Sequence, residues 1–200
     1  MKNLRSQVML VGAWVLPILW ATSLGAGAAI SKVDAERLQK KIVQINENGR
    51  ARRPASLRTP VTEDELNSYL TYALAPELPV GVTDVYVAIE GEGRLSGRAI
   101  IDLDRIKAAG GRLDPTGFLS GKVPVTATGS LRTSAGTGRL ELESAAVSGV
   151  PVPKFLLQAL VSSYTRSAEN PAGISLDDAF TLPASIRQIE VGKGQAVVVQ

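Results

Sequence analysis

The sequence predicts an α+β fold in which a curved, largely antiparallel sheet of about six strands wraps around or packs on one or two helices. Three observations lead there. From residue 82 onward apolar and polar residues alternate over long runs, the period of strands with one buried face. Short Gly-rich turns join those runs, where parallel strands would need crossover helices. Two segments, one after Thr62 and one after Pro153, switch to helical spacing.

Two hundred residues suit one domain with an appendage. The chain is 44% hydrophobic and 20% charged but only 4% aromatic, so its core is built from Val, Leu, Ile and Ala. It contains no cysteine and no histidine. That excludes disulfides, thiol chemistry, Ser-His-Asp triads and most transition-metal sites.

Lys2 and Arg5 precede the uncharged residues 8–30, most apolar over 8–20, and Ala26-Gly27-Ala28 offers an A-x-A cleavage site. Residues 1–28 therefore read as a signal peptide. The whole run is also long enough to serve as an uncleaved membrane anchor. Either way the remainder is exported, to the periplasm or another extracytoplasmic part of the envelope. Without Lys2 and Arg5 the formal net charge falls from +3 to +1, so nothing supports nucleic-acid binding.

Residues 29–60 form the appendage. Ser31 and Asp34 resemble a capping box, and Val33, Leu38, Ile42 and Ile45 make a thin stripe on a helix over about residues 32–47, ended by Gly49. Arg50, Arg52, Arg53 and Arg58 then crowd a segment with Pro54 and Pro60. It reads as a solvated linker or as a membrane-surface contact, worth about 1 kcal/mol per basic residue at an anionic surface.

The main domain is expected over residues 61–200. Thr62 and Glu65 form a capping box, with Val61 and Leu66 as a hydrophobic staple. Leu66, Tyr69, Leu70, Ala73 and Leu74 mark the buried face of that helix, and Pro76 and Pro79 end it. Val85, Val87 and Ile89 then alternate toward a turn at Glu90-Gly91-Glu92-Gly93. Leu95, Gly97, Ala99, Ile101 and Leu103 continue on one face of the returning strand. Residues 104–111 suggest a helical turn capped by Asp104, and 112–120 a loop.

In the next hairpin Val123, Val125, Ala127, Gly129 and Leu131 share a face, and Pro124 suggests an edge strand or a bulge. After the turn at Ala135-Gly136 come Leu140 and Leu142, and the phase slips near Ser144-Ala145-Ala146, as a β-bulge would cause. Pro151 and Pro153 turn the chain into a helix with Phe155, Leu156, Leu157, Ala159, Leu160, Val161 and Tyr164 around most of its circumference. Such a helix is expected to be embedded in the core or against a ligand. Residues 167–184 read as irregular. A last hairpin, with Ile186 and Ile189 in its first strand, turns at Gly192-Lys193-Gly194.

Little in this pattern is catalytic. Asp102 and Asp104 would share a strand face, as a pair of acids, a cation site or a polar face running into a cap; Asp177-Asp178 reads as a solvated turn. No glycine cluster forms a nucleotide-binding loop. The sequence points to a protein that is not an enzyme, with no cofactor and no metal.

Gly97, Ala99, Ala127, Gly129 and Ala146 are small where a core would want bulk. Two accounts fit. A helix lies very close to the sheet, or the sheet curves around a space filled by an apolar ligand. An empty space would cost about 24 cal/mol per Å³, whereas a lipid tail contributes about 0.8 kcal/mol per buried methylene.

The helix opening T-x-D-E-L-N-x-x-L from Thr62, the G-x-L-x-L strand from Gly138 and the Ser148-Gly149-Val150-Pro151-Val152-Pro153 corner before an apolar helix resemble YpmS-like and LmeA-like bacterial envelope proteins. Those are similar to the tubular lipid-binding (TULIP, SMP/BPI-like) superfamily. The resemblance implies a curved antiparallel sheet around a long helix, lipid in an apolar groove and no catalytic residues. The expected function is thus an exported lipid-binding protein holding an acyl chain or other apolar ligand, in envelope lipid transport or maintenance. Its candidate lining is Leu70, Val125, Ala127, Leu140, Leu142, Phe155, Leu156 and Leu160. The alternative is a structural or interaction module of the envelope, with a filled core and a protein partner at the sheet edge near Pro124 or on the N-terminal helix.

Overall fold

The structure, a computed structural model, describes residues 30–109, 120–164, 171–173 and 175–200, without side-chain placement at 160, 163 and 164. The leader, most of the loop expected over 112–120 and part of the irregular stretch after α4 lie outside the described residues. In chain order the elements are α1 (Lys32–Arg50), β1 (Arg58–Thr62), α2 (Glu63–Tyr72), a 3-10 turn (Ala75–Glu77), β2 (Val82–Gly91), β3 (Arg94–Asp102) and α3 (Leu103–Ala108). There follow β4 (Lys122–Ser134), β5 (Thr137–Val147), β6 (Val150–Pro151), α4 (Lys154–Tyr164), β7 (Phe180–Thr181), β8 (Gln188–Gly192) and β9 (Gln195–Val199).

The fold is α+β with antiparallel sheets, as the alternation and short turns imply. Strands β2-β3-β4-β5-β6, with β7 also on β5, make a six-stranded sheet, and β1-β9-β8 make a three-stranded one. Three hairpin turns share one chemistry. Glu92-Gly93, Ala135-Gly136 and Ser148-Gly149 each place two residues at positive φ, a twist that two-residue hairpin loops favour.

Local signals hold at the helix starts. Thr62 Oγ1 accepts from the Glu65 amide while the Glu65 carboxylate accepts from the Thr62 amide, completing the capping box. Ser31 caps α1 from the Asp34 amide. Its own amide donates to Ser68 Oγ on α2, so the cap also fastens the two helices together.

Several expectations are corrected. α1 runs past residue 47 to Arg50, and Gly49 lies inside its last turn. A Cβ there would stand 2.4 Å from the Ala184 carbonyl oxygen, so this glycine serves a close approach and not a helix stop. The buried positions of α1 are Ala35, Leu38 and Ile45; Val33 points to solvent. Arg58 and Pro60 belong to β1 and not to a linker, and Pro60 is tolerated because β1 is an edge strand.

Pro124, by contrast, sits in β4, which is interior, paired with both β3 and β5. Its carbonyl accepts from Ser148, in the turn just beyond β5. The Pro nitrogen, which has no hydrogen to donate, points to that same side, at the end of β5. The bulge lies at Glu143, between the pairs Thr128↔Ser144 and Gly129↔Leu142, a residue earlier than expected. It puts Ala145, opposite Ala127, on the apolar face instead of Ala146. Asp102, not Asp104, caps α3; Asp104 accepts from the Gly121 amide. Ile186 precedes β8 and is buried in a cluster with Ile45 and Leu182.

The largest departure is in α2. Its buried positions are Glu65, Asn67 and Ser68, all at most 2% exposed, while Leu66, Tyr69 and Leu70 are only half-buried. β2 is an edge strand, and α2 seals it with side chains. Asn67 donates to the Val87 carbonyl and accepts from its amide, both at 2.7 Å. Glu63 accepts from the Ile89 amide and the Tyr86 hydroxyl, and the Ile89 carbonyl takes the Gly194 amide. Side chains thus complete the ladder that an edge strand leaves open.

Candidate functional site

Register alone assembles the sheet part of the candidate site. The pairs Gly97↔Ala127, Ala99↔Val125, Ala127↔Ala145, Gly129↔Leu142 and Leu131↔Leu140 are directly opposite, so these residues share one face of β3, β4 and β5. Lys122, Thr126, Thr128, Ser130 and Arg132 take the other, where Arg132 pairs with Glu141. Val125, Ala127, Leu140 and Leu142 therefore lie together, as their spacing predicts.

One part of this face is covered by the chain itself. Thr133 Oγ1 donates to the Ile189 carbonyl and accepts from its amide, which fixes β8 beside β4. Ile89 at that end is 3% exposed. The Phe180 ring occupies the space above Gly138, where a Cβ would meet it at 2.6 Å.

The rest is open. Ala127 is exposed, Val125 and Leu142 are half-buried, and Leu140 is 42% exposed. The small residues have different causes. Gly129 is required because a Cβ would stand 2.7 Å from the Glu141 carbonyl oxygen at the bulge, whereas at Gly97 the nearest atom would be the Tyr86 carbonyl oxygen at 3.8 Å. Close packing accounts for the first and not for the second.

α4 is the clearest correction to the expected packing. Phe155 is 70% and Leu156 46% exposed, and Val150, just before the helix, is exposed as well. The helix is not embedded in the core of this chain. It is tied by polar contacts: Val152 donates to the Ala145 carbonyl, Lys154 pairs with Asp177 at 2.5 Å, and Gln158 accepts from the Leu176 amide at 2.7 Å. Leu160 belongs to α4, with its side chain outside the described residues.

Leu70 is elsewhere. It lines a cavity of about 480 Å³ with Pro76, Leu78, Val80 and Val85, and with Arg105 from α3. Arg50, Arg52 and Arg53 are exposed at the end of α1, but Arg58 is held by Glu190 across the three-stranded sheet. That hydrogen bond pulls the Glu190 carboxyl below the usual range and raises the Arg58 guanidinium. Among the described residues, no three or more Asp or Glu stand together as a metal site, and no helix is long and apolar enough to cross a membrane.

Sequence reasoning missed Val150 and Phe180 as exposed apolar groups, and Glu63 and Asn67 as the seal of β2. A signal existed for the second pair. Asn67 lies two residues after a capping box on a helix beside a strand, a place where a buried amide needs a backbone partner. No family model, no curated protein and no solved structure matches the chain.

Proposed function

We propose that this chain is an exported lipid-binding protein and not an enzyme, holding an acyl chain against the open face of β3, β4 and β5 with α4 as the movable cover. One observation carries the reading. Among the described residues, part of an apolar sheet face and much of an apolar helix, Phe155 and Leu156 foremost, are left exposed. Exposed contiguous apolar surface of this kind marks a binding site.

The chemistry suits an unbranched chain. Gly97, Ala99, Ala127 and Ala145 form a shallow strip on which a tail can lie, and ten buried methylenes would contribute about 8 kcal/mol before the cost of ordering.

Native mass spectrometry of protein purified without detergent tests the reading, together with uptake of a fluorescent fatty acid. A lipid-sized mass increment, and uptake reduced in Phe155→Asp and Ala127→Asp, are expected. A bare polypeptide mass with no uptake overturns it and favours a protein partner for the same face.

A further inference from the structure

Ile30, Val33, Tyr72 and Val80 are apolar side chains that are 40%, 65%, 46% and 56% exposed, and neither the packed core nor the open sheet face uses them. They share one end of the molecule. Ile30 precedes Ser31, whose amide is held by Ser68, one helical turn before Tyr72 on α2. Lys32 Nζ lies 5.9 Å from the centre of the Tyr72 ring. The 3-10 turn after α2 then leads to Val80. Val33 stands off the buried stripe of a well-capped helix, so its exposure belongs to the folded state.

The chain leading into this end indicates what covers it. Residues 8–30 contain no charge, a run long enough to enter the ~30 Å hydrocarbon layer of a bilayer. That run ends at Ile30, and the next residue is already the cap of α1, fastened to α2. Only the uncharged, weakly apolar residues 21–30 separate its most apolar part from that cap, so a membrane holding the run holds the domain by this end.

We propose that the start of α1 and the end of α2 rest on a phospholipid bilayer entered by residues 8–30, with Ile30, Val33, Tyr72 and Val80 at the head-group boundary. A tyrosine beside a lysine suits that boundary, the ring meeting the acyl region and the ammonium reaching the head groups. Arg50, Arg52 and Arg53 close the opposite end of α1, about 27 Å away at 1.5 Å per residue, and face away from the surface. The proposal takes the uncleaved-anchor reading of residues 8–30 and is independent of whether the sheet face takes a lipid.

The absence of cysteine makes the test direct. The full chain, carrying Val33→Cys, Val80→Cys or Glu47→Cys labelled with an environment-sensitive fluorophore, is reconstituted in phosphatidylcholine–phosphatidylglycerol vesicles. All three sites are exposed, so labelling leaves the core intact. Labels at 33 and 80 should shift to the blue and be quenched by brominated lipid, while the label at 47 is quenched by aqueous iodide. Iodide quenching at all three would reduce the contact to a tether and overturn the proposal. Lipid quenching at 47 would overturn it too, placing the arginine end or the whole length of α1 on the membrane.

Discussion

At the end built from α1, α2 and the three-stranded sheet, the most completely buried side chains are Glu65, Asn67 and Ser68; along β4, β5, β6 and α4, the exposed ones include Leu140, Val150, Phe155 and Leu156. The first region hides polar atoms and the second shows apolar ones. The difference lies in what each region must satisfy. Around α2 the buried groups find fixed partners: Glu65 takes Lys41 at 2.7 Å, Asn67 takes the backbone of Val87, and no buried side-chain nitrogen or oxygen among the described residues lacks a hydrogen bond. Such a network defines one docking of helix on strand. On the open face no partner is fixed, and hydrophobic contact, being non-directional, would accept many.

The sharpest way to break this contrast is Asn67→Leu. It leaves the Val87 amide and carbonyl buried without partners, and should cost about 3 kcal/mol by urea denaturation, since each orphaned group costs about 1–3 kcal/mol. Phe155→Ala, on the exposed helix, should stay within about 0.5 kcal/mol in ligand-free protein. Equal costs for the two would mean that α4 is as much a part of the core as α2.

Next in size is Gly49→Ala. The new methyl would meet the Ala184 backbone, and overpacking of this kind costs about 1–3 kcal/mol. Its effect should appear as a lower urea midpoint with an unchanged slope. Gly97→Ala, where a Cβ has room, should be nearly neutral to stability and should weaken fatty-acid uptake if the strip holds a tail.

The smallest expected effect concerns pH. The Glu190 carboxyl is lowered by its hydrogen bond from Arg58. The pair's contribution is therefore complete above the ordinary carboxylate pKa and is lost as pH falls through the lowered folded value. An NMR titration should show Glu190 titrating below the ordinary range, and Arg58→Ala should return it there. An unchanged Glu190 titration in that variant would remove Arg58 as the cause.

Much of the local structure was legible in the sequence. Thr62 and Glu65 announce a capping box because both arms lie within one turn, and the left-handed pairs at Ala135-Gly136 and Ser148-Gly149 act within two residues. The shared face of Val125, Ala127, Leu140 and Leu142 followed from a period of two and a tight turn. Even the bulge showed as a slip of phase, misplaced by one residue.

What the sequence by itself determined, then, is where elements start and turn and which strand residues share a face, because that depends on neighbours a few residues away. Only the tertiary structure decided what meets them. It put Pro124 in an interior strand, joined the last hairpin to β1 instead of the larger sheet, used Asn67 to close β2, and left α4 uncovered. Pairing, edge position and burial depend on contacts distant in the chain, such as Asn48 with Gln200. An apolar stripe states that a face avoids water; it does not state whether the chain, a lipid or a bilayer supplies the cover.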